Sequence, residues 1–396
     1  MSYAFVLAFA IAAAGGDGKL IPLTRLETGG EVSCPSLSPD ATSLFGEIKH
    51  GKLREWAVWD VPNKSRTVLA AGADIGFAFP SPDRSTLLTF IVPNRGEHPT
   101  DVDVAIRDIK SKSKTALLTS GRTLSNAFSS DGNLVAFGDG VANTVHIWKR
   151  DAAAKWNVLK VLDAARGDNA QKPGVDGMVF TPDGKEIFVR LLLASGGSTI
   201  KKLDIASGKT IPFPVQPLKG QLAWPFEGAM IISRDGKTLC VDASEEEGAV
   251  AVDALSGKRK YAIDACIACT LISPDGATCA TVRSWPGPIP PGQAKTSKTT
   301  INLWSLSDGT RYRTVTVRGG CGANSGAFTA NSHFFVLAAG EGNRRIDLIE
   351  VEKAKVQSSM TADAPVGDIS RLDSGEIAVV GIEPKAVVIW KFKPPE

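Results

Sequence analysis

Residues 177–189 read Gly-Met-Val-Phe-Thr-Pro-Asp-Gly-Lys-Glu-Ile-Phe-Val, two short apolar runs around a turn in which each residue has a conformational reason to be there. Proline presets φ at the corner, aspartate bonds its own backbone, and glycine accepts positive φ. Thr181-Pro182-Asp183-Gly184 is therefore a tight hairpin turn between two strands. The same turn recurs as Ser38-Pro39-Asp40, Ser81-Pro82-Asp83, Ser130-Asp131-Gly132, Arg234-Asp235-Gly236 and Ser273-Pro274-Asp275-Gly276. Two weaker copies follow, Ala330-Asn331-Ser332 and Asp373-Ser374-Gly375. Anchored on Asp40, Asp83, Asp131, Asp183, Asp235, Asp275, Asn331 and Ser374, the copies are separated by 43, 48, 52, 52, 40, 56 and 43 residues. A period of ~40–50 residues with four strands per unit is the signature of a propeller.

The flanks agree with that period. A strand precedes each turn, as in Asn126-Ala127-Phe128, and another follows, as in Leu134-Val135-Ala136-Phe137. A third alternates as a half-buried strand does: Trp56-Ala57-Val58-Trp59-Asp60, Thr144-Val145-His146-Ile147-Trp148, Thr300-Ile301-Asn302-Leu303-Trp304 and Ala386-Val387-Val388-Ile389-Trp390. A second turn comes after it, clearest in Ala206-Ser207-Gly208-Lys209, Leu255-Ser256-Gly257-Lys258 and Ser307-Asp308-Gly309-Thr310. At 396 residues the chain exceeds what a single core usually organises. Repeats escape that limit, because each unit adds its own slice of core.

This order of elements resembles the WD repeat, over roughly residues 19–396. In the Trp slot the eight units carry Trp59, Arg107, Trp148, Leu203, Val252, Trp304, Ile349 and Trp390; the next slot holds Asp60, Asp108, Lys149, Asp204, Asp253, Ser305, Glu350 and Lys391. Only Trp59-Asp60 is the full dipeptide, and the Gly-His pair that often opens a unit in that family is missing. The resemblance implies an all-β fold: an eight-bladed β-propeller of four-stranded antiparallel blades, closed when an N-terminal strand joins the last blade. Lys19 to Leu26 (KLIPLTRL) stands where that strand is needed, and the last unit ends at Trp390 without a fourth strand of its own. A seven-bladed ring with one degenerate unit is the structural alternative.

Composition places further bounds. The 45 basic and 42 acidic residues give a net charge of +3, too even for a dedicated nucleic-acid binder. Residues 1–18 are set apart from the propeller domain at 19–396. Ala4 to Ala14 is an unbroken apolar run ending in small residues, which fits a secretory signal cleaved near Ala14 or a disordered N-terminus, although no Lys or Arg precedes it. The run is too short to cross ~30 Å of hydrocarbon, so no membrane span is expected. A periplasmic or secreted location follows from the signal reading, a cytoplasmic one from its absence. The six cysteines, Cys34, Cys240, Cys266, Cys269, Cys279 and Cys321, read as small buried hydrophobes rather than a disulfide framework.

Motifs that would carry chemistry fail on their own requirements. Ser207-Gly208-Lys209-Thr210 has Leu203 where a phosphate loop needs glycine. Cys266-Ile267-Ala268-Cys269 lacks a second pair and falls on an expected inner strand. His50, His98, His146 and His333 are scattered, no Gly-x-Ser-x-Gly elbow occurs, and Asp101 and Asp103 lack the rest of a calcium loop. No cofactor, metal site or catalytic residue is expected.

Both kinds of turn share one face of such a ring, and the long irregular connections occupy the other. Asp163 to Gly174, Val215 to Phe226 and Ser284 to Thr299 are the longest. Variable connections on a rigid scaffold are where binding usually resides. Arg54, Trp56, Arg95, Trp224, Trp285, Arg344 and Arg345 fall in or beside such connections, and Trp and Arg are enriched at interface hot spots. The expected protein is a monomeric, non-enzymatic scaffold for a protein or peptide partner. Two alternatives are a propeller hydrolase or oxidoreductase holding a metal or quinone at the central channel, and a structural component of an envelope assembly.

Overall fold

The computed structural model describes residues 19–50, 53–72, 75–82, 85–91, 103–109, 114–119, 125–139, 144–153, 155–163, 174–192, 198–211, 213, 230–244, 248–263, 270–283, 298–318, 326–340 and 343–393. Among them, strands form eight antiparallel sheets of four, and no helix is long and apolar enough to cross a membrane. Each sheet is one blade, with strands a to d running outward, in chain order for blades 1 to 7. Blade 1 comprises Val32–Leu37, Ser43–His50, Leu53–Asp60 and Ser65–Gly72. The a strands of blades 2 to 7 are Ile75–Pro80, Asn126–Phe128, Val175–Phe180, Met230–Ile232, Thr270–Ile272 and Gly326–Phe328. The a strands of blades 3, 4 and 5 approach one another in turn around the centre, as do those of blades 6, 7 and 8, and the a strand of blade 8 (Val366–Arg371) meets that of blade 1. The ring therefore has eight blades rather than seven.

Closure uses the expected segment. Lys19–Glu27 is the d strand of blade 8, paired antiparallel with Ala386–Lys393 from Lys19 opposite Lys393 to Glu27 opposite Ala386. Leu20 and Leu26 turn inward, while Ile21 and Leu23 face solvent. Asp368 adds a lock at the centre, where its carboxylate accepts the backbone N–H of Leu37 in blade 1 at 3.3 Å.

The core is divided into eight apolar clusters, one for each blade-to-blade interface. The Trp-slot residues explain how they are filled. Trp59 packs into the interface with blade 8, Trp148 into that of blades 2 and 3, Trp304 into that of blades 5 and 6, and Trp390 into that of blades 7 and 8. The slot residue of each blade thus faces back to the preceding blade. Leu203, Val252 and Ile349 fill the same place with aliphatic volume and are at most 1% exposed. Arg107 is the exception: it is half-buried, and desolvation lowers its pKa.

The turns follow one plan. In blade 4, Thr181 Oγ1 donates to Asp183 at 2.7 Å and accepts the Glu186 N–H at 3.1 Å. Ser129 with Asp131, Ser233 with Asp235, Ser273 with Asp275 and Thr329 with Asn331 repeat the first bond. The full signal is therefore Ser/Thr-x-Asp/Asn: Ser233 stands before Arg234-Asp235-Gly236, and the weaker copy Ala330-Asn331-Ser332 is completed by Thr329. Where a copy lacks glycine, the backbone stays left-handed, as at Ala41 (φ 58°) and Ser332 (φ 62°).

Candidate binding face

Antiparallel order sends the a–b and c–d turns to one face and the b–c and d–a connections to the other. The turn face satisfies its own polar groups. The Thr181 hydroxyl holds the Asp183 carboxyl below its ordinary range, and the Ser233 hydroxyl does the same for Asp235. At the c–d turns, Asp204 and Asp253 accept both the hydroxyl and the N–H of Ser207 and Ser256. A groove of about 530 Å³ runs between the turns of blades 3 and 4. Its carboxylates Asp131, Asp151 and Asp183 all cap backbone N–H groups, and Arg150 in its wall bonds Ser85 and Asp108.

Among the described residues, two buried carboxylates anchor strand ends on the opposite face. In blade 1, Glu47 (side chain 6% exposed) stands in the apolar b strand, with Arg54 Nη1 at 3.0 Å and the Ser33 hydroxyl donating at 2.8 Å. In blade 7, Asp347 (1% exposed) accepts Arg345 Nε at 2.9 Å, Arg345 Nη2 at 2.8 Å and the Ser359 hydroxyl at 2.6 Å. Arg345 also donates 2.6 Å to the Arg318 carbonyl at the end of blade 6. Neighbouring Asn343 reaches the Val366 carbonyl of blade 8 at 2.6 Å. Asp347, bonded this fully, is held in one geometry, and loss of either partner of a buried pair strands a buried charge.

The seven candidates divide accordingly. Arg54 and Arg345 both begin c strands on this face, with blade 8 between them, and each anchors a buried acid. Arg344 is exposed, and its carbonyl accepts the Ala362 N–H. Trp56 is 6% exposed and packs in the interface of blades 1 and 2 with Phe45, Leu69 and Leu87, so it supports the face from below. Arg95, Trp224 and Trp285 lie outside the described residues. Sequence reading missed Glu47, Asp347 and Asp368. Their only sequence mark is an acid within an otherwise apolar strand, which does not reveal a partner.

Among the described residues, no three His, Cys, Asp or Glu side chains converge as a metal would require. Cys240 and Cys279 are buried, and burial pushes the Cys240 thiol up to about 12, which leaves it protonated and unreactive at neutral pH. Cys34 is exposed, against the expectation that the cysteines are buried, whereas Cys266, Cys269 and Cys321 lie outside the described residues.

The molecule is therefore an eight-bladed β-propeller with self-capped turns on one face and charge-anchored strand ends on the other. The C-terminal WD40 domain of Sif2 shares this fold, with a TM-score of 0.55 at 13% identity over 94% of this chain and 98% of that one. The Dos1 propeller superposes with a TM-score of 0.60 at 10% identity, over 94% and 95% respectively. No family model and no curated protein matches the sequence. At such identities the likeness establishes the WD40-type propeller fold.

Proposed function

We propose that the chain is a binding scaffold that engages a protein or peptide through the face carrying its b–c and d–a connections, and makes no covalent change to it. The asymmetry of the two faces carries this reading. At most of the described turns the turn face commits an aspartate to its own backbone, while the other face holds Glu47 and Asp347 in buried ion pairs and presents the exposed guanidinium of Arg344 beside them. A fixed rim around longer connections is the arrangement in which loops bind without reordering the scaffold.

Native mass spectrometry and cross-linking of protein purified from its own host test this. The expected result is a co-purifying protein whose cross-links fall near Arg54 and Arg344, with Arg344→Glu weakening capture at an unchanged melting temperature. Cross-links confined to the turn face would overturn the assignment of the face. A stoichiometric metal ion or quinone with no protein partner would instead establish the channel-mouth enzyme.

A further inference from the structure

At the start of the c strand of blade 7, Arg345 finds its counter-ion two residues further on. Asp347 takes the guanidinium, and Ser359, directly opposite on the d strand, donates to the same carboxylate. Blade 6 has the same register without the acid. Its c strand Lys298–Ser305 and d strand Arg311–Arg318 set Lys298 opposite Arg318 and Thr300 opposite Thr316. Thr300 therefore stands where blade 7 has Asp347. The d strand adds a second cation, Arg318, where blade 7 has Thr361.

Like charges directly opposite one another destabilise paired strands. Blade 1 sets such a pair on the same face, Lys49 opposite Arg54, but Glu47 lies with both, at 4.0 and 3.0 Å. Lys298 and Arg318 have no such acid. Both are exposed, and neither side chain forms an ion pair or hydrogen bond among the described residues. The connections beside them, 284–297 and 319–325, contain no Asp or Glu. The Arg318 carbonyl accepts Arg345 Nη2 at 2.6 Å, which brings exposed Arg344 alongside. Asp363, next to the Ala362 N–H that bonds the Arg344 carbonyl, is exposed and pairs with none of the three. Protection of a bare sheet edge does not account for this cluster. Arg318 is on an outer strand, but Lys298 is on a c strand and Arg344 is in the b–c connection of blade 7.

We propose that this corner of the binding face, formed by Lys298, Arg318 and Arg344, receives an acidic segment of the protein partner. Its Asp or Glu carboxylates supply the counter-charge that Asp347 supplies within blade 7. The proposal rests on the reading of this face as the binding face and adds the chemistry of the partner. Carboxylates are favoured over nucleic acid because the cations form one corner at the ends of two blades, on a chain with a net charge of only +3. A phosphate backbone is tracked by a longer basic stripe.

Fluorescence anisotropy on the full chain, with a labelled Glu-rich peptide and its Gln counterpart, tests this. The Glu peptide binds, the Gln peptide does not, and Lys298→Glu with Arg318→Glu weakens binding by about tenfold or more. Lys258→Glu with Arg259→Glu, an equal change of charge at exposed positions of the turn face of blade 5, leaves binding unchanged. Melting temperatures confirm that both variants are folded. A Glu peptide that fails to bind into the high micromolar range overturns the proposal, as does an equal loss in both double variants. So does tighter binding of a single-stranded oligonucleotide of equal charge. A host protein that still cross-links to this face of the Lys298→Glu, Arg318→Glu variant would leave the scaffold reading standing and overturn the acidic assignment alone.

Discussion

Leu23 and Leu26 lie on the same closing strand, yet the first is 47% exposed and the second 1%. Leu26 packs with Val32, Leu37, Val380, Val387 and Ile389 in the interface where the last blade meets the first. Leu26→Ala removes buried methyl groups and leaves a cavity that two sheets cannot easily collapse, a loss of about 3 kcal/mol. The same truncation at Leu23 removes atoms already half in water and opens no cavity, a loss below about 1 kcal/mol. Against a typical stability of about 5–15 kcal/mol, the first is a large shift in the unfolding midpoint and the second a small one. Urea unfolding followed by tryptophan fluorescence measures both, since Trp59 and Trp390 flank the strand: Trp59 Nε1 donates to the Glu27 carbonyl at 3.4 Å, and Trp390 lies opposite Pro22. If Leu26→Ala unfolds at the parental midpoint, the strand is not docked and the ring is not closed as described. If Leu23→Ala costs more than Leu26→Ala, the strand is paired one residue out of register, because such a slip exchanges its two faces. Deleting Lys19 to Leu26 is the blunter form of the test, and a parental melting temperature there would likewise rule out this closure.

Gly309 (φ 74°) has the Tyr261 ring 1.8 Å from where a Cβ would stand, whereas nothing lies within 4 Å of the same point at Gly276 (φ 72°). Gly276→Ala therefore costs about 1–2 kcal/mol of left-handed strain alone, and Gly309→Ala costs more in the same urea experiment; equal losses would mean that Tyr261 does not rest on that turn. Lys64 holds φ 52° at an exposed turn where other blades use glycine, so Lys64→Gly raises stability by about 0.5 kcal/mol, and a comparable loss refutes the strain. Hydrogen bonds from Ser233 and the Lys237 N–H hold the Asp235 carboxyl below its ordinary range. A depressed folded-state pKa gives stability that is present above the unfolded value of about 3.9 and lost as pH falls through the folded value. Asp235→Asn, which copies the Asn331 of blade 7, keeps the accepting oxygen and flattens the acid limb of the stability curve; an unchanged limb excludes Asp235 as a contributor. The secretory-signal reading of Ala4 to Ala14 predicts a mature chain beginning just after Ala14, which N-terminal sequencing of host material checks; a retained Met1 in the soluble cell fraction would refute it.

The period of the turn motif was enough to specify four-stranded blades and to favour eight of them over seven, because Pro, Asp and Gly act on the backbone within a few residues of themselves; the closed ring decided the number. The closing strand was legible for a related reason: a ring one strand short at Trp390 and one strand long at Lys19 has a single local remedy. Side-chain partnership was not legible. Trp56 and Arg54 are two positions apart on one c strand, and a one-dimensional reading treats both as candidates for an interface. Packing between blades 1 and 2 buries Trp56, while Glu47, seven residues back across a hairpin, takes Arg54. Arg345 likewise turned out to hold Asp347 and the end of blade 6, since the register of the c and d strands brings Ser359 and Asp347 opposite each other and the ring brings Arg318 alongside. Local conformational preference fixed the number and kind of strands. Which charges are buried in pairs and which guanidinium reaches solvent depend on how adjacent sheets face one another, and only the closed ring determines that.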